Sequence, residues 1–292
     1  MFDWIKKDTP PAAIIMENVT GILRVARRGA FATPFDFLMN DRRYGLTRLK
    51  DRYWVVPSPI VLRSRTVGLP MERKRVFIYL VRKDLVPQSP APGIVSAAEA
   101  VRANGIDAQP LECYVDPDDS QKVVRSKKER SGMSELNLVQ TKKVRNILGL
   151  PRRSAEGGRP ATLNPAQWGI LESELTPREL DVLDVAILWS RKGGDGLVHE
   201  ELLVDLSQTV SRMPWRQDGI CGSLHRGSKL WYRNELLGNN TLMNIMGWPR
   251  NTFVVPYSVG EGTVRRMIGN MVATPVAGVA CMLLLQQVNV FE

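Results

Sequence analysis

Five consecutive apolar residues, Ala12-Ala13-Ile14-Ile15-Met16, run straight into Glu17-Asn18-Val19-Thr20-Gly21. A short, unbroken run of this kind suits a strand buried on both faces of a parallel sheet, with helices covering it. Tyr53-Trp54-Val55-Val56 predicts a second strand and Arg75-Val76-Phe77-Ile78-Tyr79-Leu80-Val81 a third, while residues 34–50 read as a polar-faced helix. The class this pattern implies is α/β. In open sheets of that class, ligands bind beyond the carboxyl ends of the strands, and Glu17 stands just past such an end. By position alone, Glu17 is either a solvated turn carboxylate or an acid in a cleft, able to exchange a proton with a substrate.

With 292 residues the chain has room for one large domain or two small ones. Its hydrophobic content of 43% and charged content of 24% exclude wholesale disorder, collagen and a heptad rod. Residues 87–98 hold three prolines and little periodicity, as a linker would. Residues 121–160 carry eleven Lys/Arg against three Asp/Glu, most of the net +10 of the whole chain. This segment reads as an exposed, partly flexible basic insertion, and the charge favours a polyanionic partner, of which nucleic acid is the commonest.

Thr176-Pro177-Arg178-Glu179 is a helix start: a capping threonine, proline in the first turn, and a glutamate placed to complete a capping box. Leu180, Leu183 and Ile187 then form one stripe, and Gly193-Gly194 ends the helix. A second helix is expected from His199 to Arg212. No charge occurs between Met267 and Phe291. A bilayer span needs about 20 apolar residues, and this stretch is interrupted by Gly269, Asn270, Thr274, Pro275, Gln286, Gln287 and Asn289. It predicts a buried helix from Val272 to Gln287 instead, the last element beginning at Gly269-Asn270. Pro275 is tolerated in its first turn.

Three cysteines make no even disulfide framework, and with two histidines no cluster has zinc-ligand spacing. Cys113 and Cys221 read as small packed residues. The N-terminus is too polar for a signal peptide. Arg73 and Arg75, two residues apart, place both side chains on one strand face. They are either a basic strand entrance in water or a pair gripping a carboxylate, a phosphate or a base carbonyl. Gly260-Glu-Gly262 lacks the preceding strand and third glycine of a dinucleotide fingerprint.

The order of these segments is more specific than any one of them. Ile-Ile-Met-Glu17-Asn18-Val19-Thr-Gly, followed by Gly68-Leu-Pro70-Met71-Glu-Arg73-Lys-Arg75-Val-Phe-Ile, resembles two successive motifs of the cytosine-C5 DNA methyltransferases. After a long variable region, Gly247-Trp248-Pro249 and Arg266-Met-Ile-Gly269-Asn270-Met-Val272-Ala-Thr-Pro275-Val276-Ala277 resemble the family's closing motifs. The resemblance covers residues 1–85 and 224–292. It implies that Glu17 holds and protonates N3 of a flipped cytosine, that Arg75 meets its O2, and that Arg73 steadies the glutamate. It implies that Asn270 and Val272 line a pocket for S-adenosylmethionine, with Pro249 helping to join recognition domain and core. A methylated cytosine must leave the stack and be read in a pocket. A carboxyl on N3 and a cation on O2 disperse charge as a thiolate adds at C6.

The implied architecture is a partial Rossmann-like methyltransferase sheet (1–86), a basic target-recognition-like domain inserted at 87–230, and closing motifs with a returning helix at 231–292. Two departures stand out. Met71 occupies the family's glutamine position, and the sixteen residues ahead of Glu17 hold no cysteine, whereas the family's Gly-rich cofactor loop and Pro-Cys nucleophile lie upstream of the glutamate. The chain is therefore expected to begin within the domain and to be inactive alone. It would be a truncated gene product of an active enzyme, work with a complementary chain that carries loop and thiol, or be a non-catalytic DNA- or RNA-binding remnant. The expected location is nuclear in a eukaryote and cytoplasmic otherwise.

Overall fold

The computed structural model describes residues 10–25, 31–117, 119, 135–150, 174–193, 197–250, 252 and 254–288. The chain forms two compact units, residues 1–108 with 272–292, and residues 109–271. Residues 231–271 thus group with the second unit and only 272–292 with the first.

The first unit is built on a sheet of β1 (Ala13–Val19), β2 (Tyr53–Val55), β3 (Ile60–Arg63) and β4 (Lys74–Arg82). β4 is central: β1 pairs along one edge, and β2 and β3 take successive stretches of the other. Every pairing is antiparallel, which corrects the parallel expectation for Ala12–Met16. The continuous apolar run that marks a strand covered on both faces belongs here to β4, whose Val76 to Val81 are all buried. β1 is only half-buried over Ala13–Met16, and β3 was not anticipated.

Alternation along β4 sends Val76, Ile78 and Leu80 to one face, where they pack with Phe35 and Met39 of α1 (Pro34–Asn40) and with Leu46, Leu49 and Tyr53. α1 starts on a capping box: Asp36 N–H donates to Thr33 Oγ1 at 3.0 Å, and Thr33 N–H donates to Asp36 Oδ2 at 2.9 Å. α2 (Ala91–Ala103) and α7 (Thr274–Leu285) pack on each other and on β3. α2 replaces the linker expected at 87–98. Its prolines, Pro90 and Pro92, sit at the cap and in the first turn, where the missing N–H costs nothing.

The second unit contains α3 (Glu135–Leu148), α4 (Pro177–Lys192), α5 (Asn239–Ile245) and α6 (Glu261–Asn270). It also holds an antiparallel sheet in the order β6 (Trp215–Arg216), β5 (Leu203–Asp205), β7 (Leu230–Tyr232), β8 (Glu235–Leu236). α4 has the capping box read from Thr176 and Glu179. Its stripe of Leu180, Leu183 and Ile187 packs with Val144, Val204, Trp215 and Trp231. α3 docks on α4 through buried Arg145, which is ion-paired to both Asp181, at 3.4 Å, and Asp184. β7 and β8 are joined through Arg233 and Asn234, both at positive φ (47° and 68°), as a two-residue hairpin turn requires.

The helix expected from His199 to Arg212 is absent. Leu203–Asp205 is a strand between β6 and β7, and only Val210–Arg212 makes a 3-10 turn. Leu202, Leu203, Val204 and Leu206 are all buried; a run buried on successive positions satisfies its backbone better between two strands than on one helix face. Gly269 and Asn270 close α6 rather than open the last helix; Met271 is extended, and α7 starts at Thr274 after Ala273 at its N-cap. The basic segment 121–160 lies outside the described residues except for Glu135–Leu150, most of which is α3.

Candidate functional site

Glu17 and Arg75 meet on one face of the first sheet. In the β1–β4 register Glu17 opposes Phe77 and Val19 opposes Arg75. Paired positions share a face, so Glu17 and Arg75 are diagonal neighbours across two strands. Arg75 Nε lies 2.6 Å from Glu17 Oε1. The Arg75 side chain is 11% exposed and that of Glu17 33%, so the pair has a buried cationic end and an anionic end open to a ligand. Arg75 is fixed further by donating from Nη1 to its neighbour's carbonyl, Lys74 O, at 2.9 Å. Burial pulls the Arg75 guanidinium down from its ordinary value, and the charge of Glu17 opposes that shift. Asn18 turns its carboxamide back to accept from Val19 N–H at 2.8 Å, closing the strand end.

Arg73 lies one residue ahead of β4 and is wholly buried, its carbonyl accepting from Ser64 N–H at 2.9 Å. Met71 is wholly buried as well, so an apolar side chain fits this place where the family's pattern has glutamine. The structure therefore brings Glu17 and Arg75 into contact, with Arg73 close by in sequence.

Asn270 and Val272 fall in different units. Asn270 is exposed, and its side-chain oxygen accepts from Arg226 Nε at 2.9 Å. Gly269, beside it, is pressed against the His225–Arg226 backbone: a Cβ there would lie 2.2 Å from His225 C and 2.3 Å from Arg226 N. Val272 is half-buried. Of the cysteines, Cys221 is buried, while Cys113 is exposed and corrects the packed reading; Cys281 is exposed on α7.

Sequence reasoning missed a second cluster, in the 109–271 unit. Asp205, at the end of β5, accepts from Ser207 N–H at 3.1 Å and from the Ser207 hydroxyl, and its Oδ2 lies 3.5 Å from His225 Nε2. Ser207 Oγ is 3.0 Å from the same ring nitrogen, which Gln208 also contacts. Burial pushes the Asp205 carboxyl up, but hydrogen bonds from His225 and Ser207 outweigh it and hold the group below the usual carboxylate range. Asp205, Gln208 and His225 line a cleft of about 440 Å³ with Arg212, Met213, Trp215 and Arg216. No spacing announces it, since its walls come from three separate stretches of chain.

Residues 2–281 match the model of the family described as C-5 cytosine-specific DNA methylase. No curated protein matches the chain. Among solved structures it is similar to the crystal structure of S. pombe Dnmt2 methyltransferase, with 14% identity and a TM-score of 0.42, over 97% of this chain and 70% of that one.

Proposed function

The chain belongs to the C-5 cytosine-specific DNA methylase family, and on that premise we propose that Glu17 and Arg75 hold the Watson–Crick edge of an unstacked cytosine while its C5 is methylated. The observation that carries this reading is the 2.6 Å contact between Arg75 Nε and Glu17 Oε1. N3 and O2 of cytosine are on adjacent ring atoms, so a carboxyl and a guanidinium already in contact match them in spacing. In its acid form the Glu17 carboxyl gives its proton to N3 and is left as the carboxylate paired with Arg75, and Arg75 donates to O2. Both draw electron density out of the ring, which opens C6 to a thiolate. The burial of Arg75 strengthens this, because a donor in a water-poor site needs no reorganisation as charge develops. Arg73, buried two residues earlier, is a positioning residue for this strand end.

The family uses S-adenosylmethionine, which supplies the methyl group when bound. Asn270 and Val272 are the proposed contacts to it. With its oxygen engaged by Arg226, Asn270 has its NH₂ group to offer a ligand. The thiol is proposed to come from a complementary chain that also carries the Gly-rich loop. None of Cys113, Cys221 and Cys281 follows a proline. Two features of the first unit support such a partner. Among the described residues β1 pairs on one side only. α7 is apolar all round, yet Gly278, Cys281 and Met282 face water. A strand edge and an apolar helix face of this kind invite a covering chain.

Transfer of tritiated methyl groups from S-adenosylmethionine to a cytosine-containing duplex tests the reading. We expect label only when the chain is mixed with a fragment bearing a Gly-rich loop and a Pro-Cys motif. Glu17→Gln should then lower the rate by roughly 10²–10⁴-fold, as for loss of a general acid. Label incorporated by the chain alone and abolished by replacing one of its three cysteines would overturn the assignment of the thiol. An undiminished rate for Glu17→Gln in the mixture would overturn the assignment of the acid.

A further inference from the structure

We infer that the turn after α1 is a second nucleic-acid contact, which grips a single-stranded segment by its phosphates and stacks one base on Tyr44. This rests on the reading that the chain handles nucleic acid, but not on the roles given to Glu17 and Arg75. The turn lies at the far end of the first sheet from that pair. Val19 stands opposite Arg75 at one end of β4, and Tyr53, which follows the turn, stands opposite Arg82 at the other. From Arg75 to Arg82 the strand rises about 23 Å, at roughly 3.3 Å per residue.

Residues 41–52 hold five cations, Arg42, Arg43, Arg48, Lys50 and Arg52, against Asp41 and Asp51. All five are exposed, and among the described residues none is paired with a carboxylate. Asp41, at the end of α1, commits Oδ1 to the backbone: Arg43 N–H and Tyr44 N–H donate to it at 2.8 and 2.6 Å. Arg48 donates from Nη1 to Arg43 O at 3.0 Å and ties the two arms of the turn together. Gly45 seats the turn against α1, where a Cβ would lie 2.5 Å from Asp41 O and 2.9 Å from Leu38 O. A turn fixed in this way presents its charges without first having to be ordered, which lowers the entropy cost of binding.

Cations gathered without carboxylates favour an anionic ligand. Four of the five are arginine, whose planar fork matches phosphate oxygens two at a time. Tyr44 sets the class of polyanion. It is 56% exposed, and Arg43 lies over its ring with the guanidinium carbon 5.2 Å from the centroid. An exposed ring among guanidiniums is a stacking platform for an unpaired base, with the cations along the backbone. A base inside a duplex has both faces covered and cannot use it, so the strand held here is single. An acidic protein fits less well. Protein interfaces centre on apolar side chains, and Leu46, Leu49 and Tyr53 are instead buried in the core of the first unit.

Fluorescence anisotropy of the full chain with labelled oligothymidylate tests the contact, since this strand offers no cytosine to Glu17 and Arg75. Binding should be saturable and weaken with salt. Replacing Arg42, Arg43, Arg48 and Arg52 by alanine should flatten the log–log salt slope by about three units, at roughly 0.7 for each phosphate contacted on a single strand. Arg42 and Arg52 make no side-chain hydrogen bond among the described residues, so replacing these two alone keeps the test valid if the fourfold variant fails to fold, with a change of about 1.4 units. Tyr44→Ala should weaken binding about 5- to 150-fold, and Tyr44→Phe, which keeps the ring, should bind within about twofold of the wild type. No saturable binding, a slope unchanged by the arginine replacements, or full affinity in Tyr44→Ala would overturn the assignment. Displacement by polyglutamate as readily as by unlabelled oligothymidylate would also overturn it, in favour of an acidic protein partner. Because no cytosine is present, failure here leaves the cytosine reading to stand or fall on methyl transfer.

Discussion

Arg226 donates through Nε to the side-chain oxygen of Asn270 at 2.9 Å, and beside that bond the Cα of Gly269 rests on the peptide linking His225 to Arg226. Sequence places these residues 44 apart. The end of α6 is thereby anchored to the loop that carries His225, which lines the cleft beside Asp205. Glycine at 269 follows from this approach alone, since its φ is not in the left-handed region.

Gly269→Ala should destabilise the second unit. The added Cβ would sit within 2.4 Å of three backbone atoms, which cannot swing aside as a side chain would. Overpacking of this kind costs about 1–3 kcal/mol. Urea unfolding followed by near-UV circular dichroism reads the effect; a midpoint within error of the wild type would show that α6 is free to shift. Asn270→Ala, which loses only an exposed hydrogen bond, should cost less, about 0.5–1.5 kcal/mol.

Arg145 holds α3 to α4 by pairing with Asp181 and Asp184, with all three side chains buried. Arg145→Ala should cost about 3–5 kcal/mol, because two carboxylates would be left without their cation. Replacing all three by apolar residues of similar volume should restore most of that loss. Denaturant titration of the single and triple variants separates an ion pair from simple packing: a triple variant no better than the single one would favour packing.

Stability should fall in acid partly through Asp205. Its folded-state pKa is depressed, so its contribution is full above the unfolded value near 3.9 and disappears as the pH drops through the folded value. Asp205→Asn should therefore be less stable than wild type at neutral pH and lose less on acidification from about pH 5 to pH 2. Parallel urea curves for the two proteins at each pH would contradict this.

Lys142 and Lys143 are exposed on α3. If both touch phosphates, replacing them by alanine should flatten the log–log salt dependence of duplex binding by about two units. Fluorescence anisotropy over a range of salt concentrations measures that slope. An unchanged slope would make this face of α3 an ordinary solvated surface.

The features legible in the sequence are those set by neighbours a few residues away. Thr176 and Glu179 cap α4 because their side chains reach backbone only three positions off. Arg75 lies on a strand because the apolar residues after it admit little else. The order of Glu17, Arg73, Arg75, Asn270 and Val272 carried the family, since motif order survives when pairing is unknown.

What needed the tertiary structure is set by partners far along the chain. Ala12–Met16 and Val76–Val81 both read as buried strands, but only their register makes them antiparallel and brings the Glu17 carboxylate to 2.6 Å from Arg75. His199–Arg212 has helical spacing, yet β6 and β7 claim Leu203–Asp205, because pairing on both edges satisfies its backbone where a one-sided helix would turn Val204 away from the face shared by Leu202 and Leu206. The cleft beside Asp205 has walls from residues 203–216, 222–225 and 230, and no local rule links them. Short-range chemistry is written in the order of residues, whereas a binding site is a property of the distances that folding imposes.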